Sequence, residues 1–277
     1  MSLKQRAGNH DNHNNRQEER KEEIQGDCSN APSDVSFCRY MNCRALPGNP
    51  YNPTNHEHLA NVATHGLLIV PSIFGLGWML TLADESSEFW IAVIYGAALV
   101  ALFTVSTTYH TISFSGKFNT LKNILHIGDR AAIYIFVAAS YTPWLVTKEM
   151  SLDLRVEALW VIWTMAILGI LYQYNFHEKY KSLEVLFYLI IGVCPAMIVV
   201  FAMKESSGLH ELALGGIIYI IGTMFFKLDG IVPFAHAIWH CFVIVGATIH
   251  YYAVCKYVLG VRQVALVQET IQIIHDS

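Results

Sequence analysis

Apolar stretches of near-membrane length recur seven times in this chain, at roughly 59–82, 89–112, 131–147, 158–174, 184–203, 212–226 and 232–255. A helix needs about 20 apolar residues to cross a hydrocarbon core of about 30 Å. The runs are long and do not alternate polar with apolar residues, so they predict helices rather than strands. Lipid enforces the same choice, because backbone polar groups within it must be satisfied internally. Short polar connectors separate the runs, among them Asp84–Glu88, Lys148–Glu157, Asn175–Ser182 and Lys204–Glu211. With 53% of the 277 residues hydrophobic and 14% charged, an ordinary soluble domain is excluded. The expected fold is all-α: a polytopic membrane protein with a seven-transmembrane helix bundle over residues 38–260, between tails at 1–37 and 261–277.

Charge is concentrated outside these runs. Residues 1–30 are rich in Lys, Arg and Glu, with an Asn/His-rich run from Asn9 to Asn15 and no apolar cluster to offset the entropy of ordering. The N-terminal tail is therefore expected to be disordered. It lacks the apolar core of a signal peptide, so the first membrane helix is expected to direct insertion. A net charge of −4 argues against a nucleic-acid partner. The six cysteines contain no Cys-x-x-Cys pair, and Cys194, Cys241 and Cys255 lie in apolar runs, so disulfides are not implied.

Lys and Arg in the connectors set the orientation. With the N-terminus in the cytosol, thirteen of the 18 fall on the cytosolic side. Lys148, Arg155, Lys204, Lys256 and Arg262 are left on the other. The expected topology is N-terminus cytosolic and C-terminus lumenal or extracellular. Heterotrimeric-G-protein receptors, which share the span number, have the reverse.

Polar groups at membrane depth carry a cost that demands a reason. His110 ends the second run, His126 precedes the third, and His236 and His240 begin the seventh. His65 lies about one and a half turns into the first. The topology puts all of these, with Asp129, in or beside the cytosolic half, and leaves His250 near the other face. His236 and His240 are four apart, stacked on one helix face, a spacing that lets two imidazoles share a metal. Pro233 supports the register, since proline suits the first turn of a helix. A third ligand from another helix would leave one position open, the pattern of catalytic zinc. His110 is the first candidate for that ligand and His126 the second.

Plainer readings stand beside these. Taken singly, His65, His126 and His250 fit interfacial or hydrogen-bonded roles better than ligation. Ser106 lies four before His110, where it would back-bond to its own helix. Asp129 and Arg130 read as an ion pair at the membrane edge. Glu57, Asn61 and His65 share one helix face, a candidate polar seam between helices. Trp78, Trp90, Trp144, Tyr251 and Tyr252 read as interfacial anchors.

Four motifs in this order carry a resemblance: Glu57-His-Leu-Ala-Asn61-Val-Ala-Thr64-His65, Ser106-Thr-Thr-Tyr-His110, Gly128-Asp129-Arg130 followed by Ala139-Ser-Tyr-Thr-Pro-Trp144, and Pro233-Phe-Ala-His236-Ala-Ile-Trp-His240. Over residues 38–258 the chain resembles the progestin and adipoQ receptor family, which includes the bacterial hemolysin III proteins. The stretch Phe225–Tyr252, with Lys227-Leu-Asp229-Gly230, is similar to the family's monocyte-to-macrophage differentiation factor branch. The resemblance implies zinc (Zn2+) held by His110, His236 and His240. It also implies Asp129 beside the metal's water and Ser106 in the same polar shell. Some family members are considered to hydrolyse ceramide-like lipid amides and others respond to steroids. The branch implies Golgi or endolysosomal membranes and a part in signalling.

Two functions follow as expectations. One is a zinc-dependent lipid-amide hydrolase, with Asp129 and Ser106 as catalytic residues and a membrane lipid as substrate. The other is a non-catalytic signalling receptor or scaffold with structural zinc and cytosolic signalling partners. An ion or proton transporter ranks behind both, because the ionisable residues cluster on one side rather than through the bundle. The chain has no kinase elements.

Overall fold

The computed structural model describes residues 40–45, 49–149, 151–203 and 207–259. The expected tails at 1–37 and 261–277 lie outside them. Among the described residues there are seven helices and no strand. They are α1 (Asn55–Leu82), α2 (Ser86–Ser115), α3 (Asn119–Thr147), α4 (Leu152–Phe176), α5 (Lys181–Ala202), α6 (Leu209–Phe225) and α7 (Ala235–Tyr257).

Five of these, α1, α2, α4, α5 and α7, are long and apolar enough to cross a membrane. The other two fall short for different reasons. α6 is apolar, but its 17 residues extend only about 26 Å at about 1.5 Å per residue. α3 has 29 residues, yet its first half carries Lys122, His126, Asp129 and Arg130. The sequence expectation started this helix at 131, where the apolar run begins. The observed start at Asn119 adds three polar turns that hold much of the candidate chemistry.

Consecutive helices pack on one another, α3 also meets α5, and α1 packs on α7 to close the ring. Small residues allow the close α6–α7 approach: Gly222 backs onto Trp239 and Phe242, and Gly246 onto the Tyr219 ring. The N-termini of α1, α3, α5 and α7 lie at one end, with the C-termini of α2, α4 and α6. That end carries His110, His126, His236 and His240.

Local chemistry fixes where the key helices begin. Thr54 caps α1 in a capping box, its Oγ1 accepting from the Glu57 N–H at 3.3 Å while the Glu57 Oε2 accepts from the Thr54 N–H at 2.8 Å. Asn61, Thr64 and His65 then follow on the inward face. α7 begins at Ala235 after Phe234, which takes a left-handed φ of 59°. Pro233 thus precedes the helix instead of opening its first turn, and His236 remains within that turn.

Two sequence expectations need correction. Trp144 is no interfacial anchor: it is fully buried in the last turn of α3, where its ring packs on Gly208 at the N-cap of α6. Trp78, Trp90 and Tyr252 are exposed as expected. Cys43 is disulfide-bonded, whereas Cys194, Cys241 and Cys255 are free. Spacing outside small secreted chains carries little information on pairing, which depends on approach in the fold.

Candidate metal centre

His110 reaches the centre from α2, one and a half turns before the helix ends at Ser115, and His236 and His240 reach it from successive turns of α7. One ring nitrogen from each lies within 4.8 Å of the other two. The ring centroids are 4.7–5.1 Å apart and the planes are inclined by 63–68°. Rings so inclined point nitrogens at a shared space instead of stacking. His110 and His240 are buried and His236 is partly so.

The hydrogen bonds select the inward-facing atoms. His240 Nδ1 lies 2.9 Å from Thr64 Oγ1, which donates its own proton to the Ala60 carbonyl at 2.9 Å. The Thr64 hydroxyl can then only accept, so Nδ1 is the protonated nitrogen and Nε2 keeps its lone pair. On His236, Nδ1 faces Asp229 Oδ2 at 3.7 Å. Nε2 of His236 and Nε2 of His110 are buried without a hydrogen-bond partner. Buried orphan nitrogens are rare and call for an explanation. Three imidazoles with two such nitrogens and two oriented Nδ1 atoms fit a metal ion. A Thr64→Val variant keeps the shape and removes the acceptor. It is expected to weaken metal affinity by about 10- to 100-fold, read by competition with a coloured chelator.

Around this trio α1 forms a polar wall. Glu57, Asn61 and His65 are all buried, as a seam on one face requires. His65 lies parallel to His240, with centroids 3.7 Å apart and planes 13° apart. Asp129 projects from α3 toward Ser106 and His236. The Ser106 hydroxyl sits beside that carboxylate. Arg130 does not pair with Asp129. It turns the other way, donating to Glu178 and, at 2.5 Å, to Glu184. Asp129 is thereby left to the centre.

A narrow cleft reaches this centre, lined by Asp129, His110 and His236 together with Glu57 and Asn61 of α1. Pro50, Tyr51 and Pro53 line it as a strap ahead of α1. Tyr51 donates to both Glu57 oxygens, at 3.0 and 3.2 Å, and accepts from the Asn42 N–H at 2.9 Å. Burial, then the Glu57 carboxylate, raises the Tyr51 phenol above its ordinary value and keeps it a donor. Gly230, at φ 75°, lies against the Arg44 backbone where a Cβ would collide. The sequence singled out neither Thr64 nor this strap, and it gave Asp229 no role. The position of Asp229 seven before His236 was the available signal.

The sequence model of the haemolysin-III-related family matches residues 54–251, which include every residue of the centre. The monocyte to macrophage differentiation factors of Homo sapiens and Mus musculus are each 48% identical over 222 residues, covering 80% of this chain and 92% of theirs. The hemolysin-3 homolog of Bacillus subtilis is 33% identical over 213 residues, covering 75% of this chain and 97% of its own. With the fold, the motifs and both sets of relatives in agreement, the chain belongs to the haemolysin-III-related family of polytopic membrane proteins.

Proposed function

We propose that this protein is a zinc-dependent hydrolase of a membrane lipid amide. The observation that carries the reading is the meeting of His110, His236 and His240 around buried unpartnered nitrogens, beside an Asp129 that Arg130 does not neutralise. Zinc there would supply Lewis-acid polarisation of a carbonyl and a water with a pKa near about 7. The chain's own groups supply the rest. Thr64 holds the His240 ring in the ligating tautomer, and the Asp229 carboxylate faces His236 Nδ1 at 3.7 Å. The Asp129 carboxylate takes a proton from water entering the cleft and returns it to the nitrogen of the departing amine. The Ser106 hydroxyl, beside Asp129 in the resting protein, turns to donate to the substrate carbonyl oxygen as negative charge builds there.

The same contacts favour a second reading, in which the metal is structural. His240 is bonded to α1 through Thr64 and stacked on His65, so the trio pins α1, α2 and α7 together. Helices in lipid lack a hydrophobic drive to associate, and such a pin would serve a non-catalytic receptor or scaffold.

Zinc content of detergent-purified protein tests the centre itself. Wild type is expected to hold zinc, and His236→Ala/His240→Ala is expected to lose the ion bound by the trio. Well-folded wild type without zinc would defeat both readings. Release of a free fatty acid from a ceramide-like amide then separates hydrolase from scaffold.

A further inference from the structure

Beyond the three-histidine centre, we propose that His126, His177 and Glu178 form a second site for a divalent transition metal, in the wall of the same cleft. His126 comes from α3, while His177 and Glu178 come from the turn between α4 and α5. His126 Nδ1 lies 2.8 Å from His177 Nε2, and His126 Nε2 lies 3.6 Å from Glu178 Oε1. One donor atom from each residue falls within 4.8 Å of the other two. Two imidazoles and a carboxylate form a donor set that divalent zinc and iron use with positions left open.

Three features support a built site over a chance cluster. First, the tautomer is set. His126 Nε2 faces the Arg130 guanidinium at 3.4 Å, so it accepts there and Nδ1 carries the proton shared with His177. A divalent ion at Nδ1 moves that proton to Nε2, on the side of Glu178 Oε1 at 3.6 Å, so the ring stays neutral and ligates through its free lone pair. Two nitrogens on one tetrahedral zinc sit about 3.3 Å apart, so the rings need part by only about half an ångström. Second, Glu178 holds a left-handed φ of 61°, a conformation that non-glycine residues avoid and that clusters at functional sites. Third, Arg130 binds both Glu178 and Glu184. It divides its charge between two carboxylates, so neither is fully neutralised by it. Glu178 has oxygen lone pairs enough to meet a guanidinium and a metal together.

The two sites communicate through the cleft. His126 and Glu178 line it with His110 and His236. The Tyr109 ring lies between, stacked on His126 at 4.6 Å and against His110 at 4.7 Å. The outer site has fewer nitrogen donors and a guanidinium beside it, so it binds more weakly and exchanges faster than the inner one.

The test counts zinc bound per chain after the full-length protein, in detergent, is equilibrated with buffered free zinc and passed through gel filtration. Wild type is expected to hold two ions at high free zinc and one at low. His177→Asn, on a turn outside the helices, is expected to hold one at both. His236→Ala/His240→Ala is expected to keep the outer ion alone. One ion in wild type at high free zinc, or a count unchanged by His177→Asn, overturns the second site. A count unchanged by His236→Ala/His240→Ala instead overturns the inner centre. Should His177→Asn fail to fold, Glu178→Gln is expected to weaken the second ion by at least about 10-fold, and no weakening overturns the proposal.

Discussion

Replacing Asp129 with Asn is expected to cut amide hydrolysis by on the order of 10²- to 10⁴-fold while the three-histidine centre keeps its metal. The substitution preserves shape and removes only the capacity to take a proton. Asp129 lines the cleft with His110 and His236 and is not among the three ligating nitrogens, so metal content is not expected to follow activity. The expected pattern is unchanged zinc, near-normal substrate binding and a collapsed kcat, read by fatty-acid release beside a metal assay on the same preparation. Retained zinc with every function unimpaired would mean that the metal is a pin between helices. Loss of zinc would place Asp129 among the ligands.

Replacing Arg130 with Met is expected to destabilise the fold by about 3–5 kcal/mol, the usual cost of stranding buried charge. Arg130 and Glu184 are almost inaccessible, as is Glu178, and the guanidinium joins the two carboxylates while lying 5.1 Å from the Phe226 ring. Removing the cation leaves both carboxylates without it. The hydroxyl of Tyr188, at 3.0 Å from Glu184, is the main compensation that remains there. Thermal unfolding in detergent would register the loss. The triple variant Arg130→Met/Glu178→Gln/Glu184→Gln is expected to recover much of it, since removing all three charges is far milder than removing one. Equal stability of Arg130→Met and wild type would show that the cluster is neutralised by other means.

The spans were legible because lipid imposes length and apolarity on each helix separately. The start of α3 was not, since residues 119–130 are polar and the helix runs past the apolar stretch that announces it. The His236/His240 pair was legible from helical spacing, and His110 from its depth and side. Thr64 was not, because a mid-helix threonine normally back-bonds, and this one also does. Asp229, His177 and Glu178 lie in connectors, where no periodicity says which side chain turns inward. The partners of Arg130 are 48 and 54 residues away, beyond what local pattern can reveal, and the neighbouring Asp129 was the natural misreading.

The inner centre draws one histidine from α2 and two from α7, the last of the described helices. A nascent chain that has inserted α1 to α6 therefore presents Asn61, His65 and His110 without the two α7 histidines. Each exposed polar group at that depth costs free energy until α7 arrives. Arrival of α7, closure of the helix ring and meeting of the three histidines thus converge on one event. A chain halted before residue 235 would display a polar stripe that marks it as unfinished.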